Sequence, residues 1–300
     1  MDRTQNKCCR HGASLRRRRR MRRKILRSII FSCSIIAVAV FVAVGSRMIT
    51  SGDGGTNKYD VEAGNNTYDN AVIENSKISE KNKIQNNQSM LDDIMNSTQY
   101  PKQLKDLALK NEEALEFVYD YPAEHVKEHT IDLTEEASMD SVPLFVQWDK
   151  RWGYEKYSGN FFAASGCGPT TLSMVVVYLT HNRDASPLAV AKYSKEASYS
   201  VDGSGSSWTL ISEGCRHYGV KAKAVALDES RMKAELDEGH PIVVNVGPGD
   251  FTDTGHFMVI TGYDDEGFSI NDPNSIEKSG KRWLFKNISS QIRAVWSMYV

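Results

Sequence analysis

The segment SGCGPTTLSMVVVYLT, residues 165–180, places one cysteine between two glycines and just before a long apolar run. The apolar run predicts a buried helix of about four turns that begins near Cys167 and has Pro169 in its first turn. The amino terminus of a helix has unpaired N–H groups and a partial positive charge, which lower the pKa of a thiol there. Gly166 and Gly168 are expected to leave room for a substrate carbonyl to reach the sulfur and the Cys167 amide. The segment predicts a nucleophilic cysteine, although a buried cysteine with small neighbours is more often an inert core residue.

A thiolate nucleophile needs an acid–base partner, and His256 is the candidate. It heads the apolar run HFMVITGY (256–263), which predicts a central strand whose first residue lies at the rim of a sheet. If the next strand returns through a turn at 264–265, Asp272 comes level with about Phe257. From there its carboxylate can accept the other imidazole N–H and fix the tautomer. The competing interpretation is structural, since His256 can end a strand and Asp272 can form an Asx turn.

The positions of the five cysteines bear on this hypothesis. Three of them (Cys8, Cys9 and Cys33) lie in the first 46 residues, and the other two are Cys167 and Cys215. If the later part of the chain is exported, these two thiols could form one disulfide, which would compete directly with a catalytic role for Cys167.

The charge of the chain is unevenly distributed. Residues 1–28 contain twelve Lys or Arg and one acid, a charge of +11, whereas the whole chain carries −1, so the remainder carries −12. Residues 28–46 (SIIFSCSIIAVAVFVAVGS) are uncharged, and as a helix they would be about 28 Å long, which is close to the thickness of a hydrocarbon core. The basic block before this span predicts a single-pass anchor with a cytoplasmic N-terminus and an extracellular remainder. A signal peptide cleaved near AVG (43–45) is the alternative.

The rest of the chain divides by composition. Residues 1–27 form the basic cytoplasmic head, and residues 47–88 are rich in Asn, Ser, Gly and Asp without a hydrophobic period, which predicts a flexible stalk. Residues 89–141 predict a segment of short amphipathic helices that ends at Pro122, followed by a polar connection. In that connection His125 and His129 have i, i+4 spacing, but they lack further ligands and favour a solvated turn over a metal site.

Residues 142–300 predict one dense domain. VPLFVQW (142–148) is strand-like, and helices are expected from Cys167, Ser186, Ser207 and Asp228, the third closed by a glycine. Strands are expected at VKAKAVAL, PIVVNVG, HFMVITGYD, GFSINDP and RWLFK. Helices followed by a sheet indicate the α+β class, with helices packed on one side of an antiparallel sheet.

The motifs VPLFVQWDKRWG, SGCGPTTLSMVVVYLT and GHFMVITGYDDEGFSINDPNS resemble the bacterial cysteine peptidases of family thirty-nine, a papain-like group related to bacteriocin leader peptidases. The resemblance covers about residues 142–296. It implies a papain-like fold in which Cys167 is the nucleophile, His256 the general base and Asp272 the residue that orients it. It also implies that Cys215, which lies outside the motifs, is a core residue and not a disulfide partner.

One position departs from the papain pattern. Papain-like enzymes often have an oxyanion-donating glutamine six residues before the cysteine, and that position is Phe161. Gln147 in VQWD matches the glutamine of the subfamily's opening motif, so the resemblance implies that Gln147 donates to the oxyanion. A structural role at the end of a strand is the alternative.

The expected function is hydrolysis of peptide bonds in a peptide or protein substrate by a membrane-anchored cysteine peptidase. The same triad could instead run acyl or isopeptide transfer or cleave cell-wall amides. A module that binds peptides without turnover is a further alternative. The sequence contains no pattern for a metal, cofactor, nucleotide loop or nucleic-acid surface, since GSGSSW (203–208) lacks the spacing and lysine of a phosphate loop. It gives no indication of the oligomeric state.

Overall fold

A computed structural model describes residues 66–300, with side chains described from residue 79 onward. The predicted basic head (1–27), the predicted membrane span (28–46) and the first part of the predicted stalk lie outside the described residues. Within 66–300, every helix falls short of the combined length and apolarity that a bilayer crossing requires.

The N-terminal part of the described chain is helical. Its elements are α1 (Asn66–Asn96), α2 (Lys102–Lys110), a 3₁₀ turn (Glu112–Ala114), α3 (Leu115–Tyr119), α4 (Tyr121–Glu124) and α5 (Thr134–Ser138).

Two sequence predictions fail in this helical part. Helix α1 begins well inside the predicted stalk, and it packs on the domain near its C-terminal end through the buried Ile94. The helices also do not end at Pro122. Pro122 lies in the first turn of α4, where its missing N–H is not needed.

The central part of the chain contains the predicted buried helix. Its elements are β1 (Lys156–Tyr157), β2 (Asn160–Phe161), α6 (Phe162–Ser165), α7 (Cys167–Thr180), α8 (Pro187–Glu196), β3 (Ser200–Val201), β4 (Gly205–Ser206), α9 (Thr209–Ser212) and a 3₁₀ turn (Gly214–Tyr218). The predicted starts of α7 and α8 are correct, and the Ser186 hydroxyl caps α8 by accepting from the amide of Ala189. Residues 142–146 lie outside the sheets and are therefore not the predicted strand.

The C-terminal part forms the sheet. Its elements are β5 (Lys221–Ala224), α10 (Glu229–Asp237), β6 (Ile242–Val246), β7 (His256–Asp264), β8 (Gly267–Asn271), α11 (Ile276–Ser279), β9 (Arg282–Trp283), α12 (Phe285–Ile288), a 3₁₀ turn (Ser289–Gln291) and β10 (Ile292–Tyr299). The six strands run antiparallel in the order β5-β10-β6-β7-β8-β9. Strand β10 was not among the strands predicted from the sequence, although it pairs with both β5 and β6.

Helices cover both faces of the sheet, so the prediction that helices lie on one side is wrong. Helix α7 packs with one set of alternating residues from β6, β7 and β10, including Val243 and Phe257. Helix α10 contributes Met232 to a second core with the intervening residues, including Val244 and Met258. The alternation places these two cores on opposite faces of the sheet. The described domain is therefore an α+β layer structure with a central antiparallel sheet.

Candidate active site

Cys167 is the first residue of α7, as the sequence predicts, and its side chain is partly buried. Its backbone N–H has no partner within the helix because it lies in the first turn. The flanking glycines also pack closely against neighbouring side chains. A Cβ atom on Gly166 would lie 2.5 Å from the ring of Phe162, and one on Gly168 would lie 2.5 Å from the Ser206 hydroxyl oxygen. Glycine is required there by close packing against neighbouring side chains.

His256 is the first residue of β7 and is buried. Two hydrogen bonds fix the backbone around it. The Asn245 side chain on β6 donates to the His256 carbonyl at 3.2 Å, and Thr171, one turn into α7, donates its hydroxyl to the Phe257 carbonyl at 3.1 Å. The second bond ties the start of α7 to the start of β7, which brings Cys167 and His256 together.

The His256 ring bridges the other two predicted residues. Its Nε2 lies 2.6 Å from Oδ1 of Asp272, and the charge of the same ring acts on the Cys167 thiol. Since Nε2 is engaged by Asp272, the nitrogen that faces Cys167 is Nδ1. The structure therefore brings Cys167, His256 and Asp272 together, with a hydrogen bond between the last two.

The electrostatics of this group favour a thiolate beside an imidazolium. Burial acts to lower the pKa of His256, but the adjacent Asp272 carboxylate raises it by more, through its charge and its hydrogen bond. Burial acts to raise the pKa of Cys167, yet the hydrogen bond and charge of His256 bring that pKa below its ordinary value. Backbone N–H groups of Phe257 and Gly168 lower the pKa of Cys167 further.

Asp272 directly follows β8 and is almost completely buried. The predicted register is wrong by about one residue. The turn lies at residues 265–266, and an irregularity at Thr261 shifts the pairing of the two strands. Val259 therefore faces Asn271, which places Asp272 level with Met258. The Asp272 carboxylate still reaches His256 because its Oδ1 also accepts from the Asn274 amide at 2.8 Å, whereas its Oδ2 has no hydrogen-bond partner.

Gln147 is buried and connects the site to the segment before α7. Its Nε2 donates to the Ala163 carbonyl at 2.7 Å, and its backbone N–H donates to the Pro273 carbonyl at 2.7 Å. The side-chain amide has two hydrogens, so one remains beyond the bond to Ala163. Its Oε1 has no hydrogen-bond partner. Gln147 thus lies between the helix that precedes Cys167 and the loop that follows Asp272.

Cys215 differs from Cys167 in its surroundings. Both thiols are free, so the disulfide left open by the sequence is absent from the described residues. Cys215 is fully buried in the core beneath α7, and this burial raises its pKa to about 11.

Asn245 and Asn274 support the site and were not predicted from the sequence. Asn245 is the single polar residue of the buried strand IVVNV, and that contrast is a signal that could have found it. Asn274 acts through its backbone amide, which leaves no signal in the side-chain pattern. His125 and His129 bond to the backbone carbonyls of Tyr121 and Glu124, and the described residues contain no group of three or more metal-binding side chains.

Comparisons with known proteins agree with the resemblance found in the motifs. The family model described as "Peptidase_C39 like family" matches residues 139–300. No curated protein matches the chain.

Two solved structures are similar to this chain. One is the peptidase domain of Streptococcus ComA, a bi-functional ABC transporter involved in a quorum sensing pathway. Its sequence is 19% identical, the match covers 53% of this chain and 96% of that domain, and the TM-score is 0.38. The other, from Bacillus anthracis, is assigned to a C39-like peptidase. It is 16% identical, covers 53% of this chain and 95% of its own, and has a TM-score of 0.34. Since the family model spans more than half of the 300 residues, the chain belongs to the Peptidase_C39-like family.

Proposed function

We propose that this protein is a papain-like cysteine peptidase that hydrolyses peptide bonds in a peptide or protein substrate through a thioester on Cys167. The observation that carries the proposal is the grouping of Cys167 with His256 and the buried Asp272, in which His256 Nε2 and Asp272 Oδ1 are 2.6 Å apart. A structural histidine at a strand end does not need a buried carboxylate on one nitrogen and a thiol on the other. Membership of a peptidase family supports the same conclusion.

In this mechanism the Cys167 thiolate attacks the carbonyl carbon of the scissile peptide and forms a C–S bond. The imidazolium of His256 then donates its Nδ1 proton to the departing amine as the C–N bond breaks, which leaves a thioester. Water attacks the thioester carbonyl while His256 takes a proton from it, the C–S bond breaks, and the product leaves with a new carboxyl group. Asp272 remains ionised and orients the ring.

The negatively charged oxygen of the tetrahedral intermediates needs hydrogen-bond donors to stabilise it. Two groups are available at the start of α7. The first is the Cys167 backbone N–H, which has no partner within its helix. The second is the remaining amide hydrogen of Gln147, whose side chain is already fixed by Ala163. We assign both groups as hydrogen-bond donors to the oxyanion. Gln147 takes the role of the papain-type glutamine, whose usual position is occupied by Phe161 in this chain.

We also propose that residues 28–46 anchor the enzyme in the membrane, with the N-terminus cytoplasmic and the peptidase domain extracellular. The support is the sequence pattern alone, in which a +11 segment adjoins an uncharged span of nineteen residues.

The proposed function is tested by labelling the full chain with iodoacetamide across a range of pH and mapping the modified cysteine by mass. We expect Cys167 to react fast at a pH well below the roughly 8.5 of a free thiol. Cys167→Ala should abolish the fast reaction and also hydrolysis of a generic peptide substrate. Cys215→Ala is the matched control, because the high pKa and burial of Cys215 keep that thiol out of the fast reaction.

Label on Cys215 at low pH, or a fast reaction that survives Cys167→Ala, would overturn the proposal. Labelling at Cys167 with no release of a carboxyl product from any peptide would exclude hydrolysis and favour transfer or binding.

A further inference from the structure

Helical residues outside the family match contact the loop that carries Asp272. The loop, residues 272–275, links β8 to α11, and the contacts extend into the first turn of α11. The Glu113 carboxylate accepts from the Ser275 hydroxyl, from the Ile276 amide at 2.7 Å and from the Glu277 amide at 3.1 Å. Glu113 therefore supplies acceptors for the first N–H groups of α11 from a point about 160 residues earlier in the chain.

Asn111 makes a second contact with the same loop. Its Oδ1 accepts from the Glu113 amide at 3.0 Å, and its Nδ2 donates to the carbonyl and side-chain oxygens of Asn274 at 2.9 and 3.0 Å. Asn111 is buried, so this side chain is held in one arrangement. The two residues form a clamp, defined here as Asn111 and Glu113, that grips residues 274–277.

The loop gripped by the clamp is the one that orients Asp272. The Asn274 amide donates to Oδ1 of Asp272 at 2.8 Å, and the Ser275 amide donates to the Asp272 carbonyl at 3.2 Å. Asp272 follows the last residue of β8, so the strand ladder does not hold it. Its position depends on the loop, which the clamp holds together with the Gln147 N–H on Pro273 and the Trp148 indole N–H on Asn274.

The helical segment that carries the clamp is packed against the peptidase domain. Apolar residues of α1, α2 and α3 pack in one core with Phe161 and Ala163, the residues just before the Cys167 helix. Phe117 lies against Gly153, where an added Cβ would be 2.7 Å from the ring. The helical segment is thus packed on the peptidase domain at both the Cys167 side and the Asp272 side.

We propose that Asn111 and Glu113 are positioning residues that hold the Asp272 carboxylate against His256 through residues 274–277. This inference rests on the proposed function. It makes the helical segment before residue 139 a working part of the active site and not a spacer. The clamp bonds to the loop and to neither Cys167 nor His256, so its effect should appear in turnover and in the state of the Cys167–His256 pair, not in substrate binding.

The test compares the full wild-type chain with Glu113→Ala and Asn111→Ser. Serine at position 111 can still accept from the Glu113 amide but is too short to reach Asn274. We expect either variant to lower kcat by about 10- to 100-fold with KM little changed, since small misplacements of catalytic groups have effects of this size. The midpoint of Cys167 alkylation against pH should move upward by about one unit, because a looser Asp272 supports the charged pair less. Glu116→Ala is the control, an exposed acid in α3 that should behave like the wild type.

Several outcomes would overturn the inference. If both variants keep the wild-type kcat and alkylation midpoint, the clamp does not position Asp272. If they lower the melting temperature but leave the midpoint unchanged, the contacts are only structural. Failure of the wild-type chain itself to alkylate selectively at Cys167 would instead refute the proposed function, so the two failures can be told apart. If Glu113→Ala does not fold, Asn111→Ser decides the question by the same two measurements.

Discussion

Replacing Asp272 by asparagine separates the orienting role of this residue from its charge. Oδ1 of Asp272 accepts from both His256 Nε2 and the Asn274 amide, and an asparagine carbonyl can keep both bonds. The new NH₂ group would then take the place of Oδ2, which has no partner in the native site. The imidazole should stay oriented in Asp272→Asn, but the negative charge beside it is lost.

The size of the effect follows from the geometry of the pair. With atoms 2.6 Å apart, the two charges are centred roughly 4 Å from each other, and at an effective dielectric constant of about 20 they attract by about 4 kcal/mol, or about three pKa units. Burial opposes the charged form of His256, so we expect loss of the Asp272 charge to shift the pKa of His256 by about one to three units. The pKa of His256 should fall, and that of Cys167 should rise because its cationic partner is less populated.

The assay is the rate of Cys167 alkylation against pH, measured beside kcat on a peptide substrate. In Asp272→Asn the alkylation midpoint should move up by about one to three units, and kcat at neutral pH should fall roughly 10- to 100-fold. His256→Ala should remove nearly all turnover. Asp265→Asn is the matched control, since Asp265 is exposed in the hairpin turn. An unmoved midpoint in Asp272→Asn, or turnover as low as in His256→Ala, would refute the assigned role.

Two further predictions concern the oxyanion and the membrane. Gln147→Ala should lower kcat by about 10²- to 10³-fold, as loss of one oxyanion donor does, with little change in Cys167 alkylation. The exposed Gln103→Ala is its control, and full activity in Gln147→Ala would leave the oxyanion to backbone amides alone. Proteolysis of intact cells should release a fragment that begins within residues 47–88. Recovery of free protein from the medium with its N-terminus near residue 46 would refute the anchor and indicate a signal peptide.

The parts of the site that the sequence predicts are those set by local rules. The start of α7 at Cys167 follows from a long apolar run with a proline in its first turn, and His256 at the head of β7 follows from another apolar run. The turn between β7 and β8 is short, so an approximate count along the hairpin was enough to bring Asp272 near His256. The error of about one residue arose from the turn, which lies at residues 265–266 and not at 264–265, and the irregularity at Thr261 partly cancelled it.

The parts that the sequence does not predict depend on contacts far apart in the chain. Glu113 looks like an ordinary surface acid, and only the fold shows that it accepts from the amides that open α11. Gln147 was expected to lie at the end of a strand, yet its segment bonds to the loop after Asp272 instead of joining the sheet. Helix α10 was recognised, but the face of the sheet it covers depends on how the strands alternate between two cores.

The place of β10 in the sheet has a consequence for how the chain reaches its native state. This strand is the last one in the described chain, yet it inserts between β5 and β6. During synthesis, β5 and β6 each present an open edge until residues 292–299 emerge, and open edges readily recruit strands of other molecules. Closing the sheet also requires pairing across long stretches of chain, which slows folding. Completion of the sheet must therefore wait until residues 292–299 have been synthesised, and the unfinished sheet stays open to pairing with strands of other molecules until β10 docks.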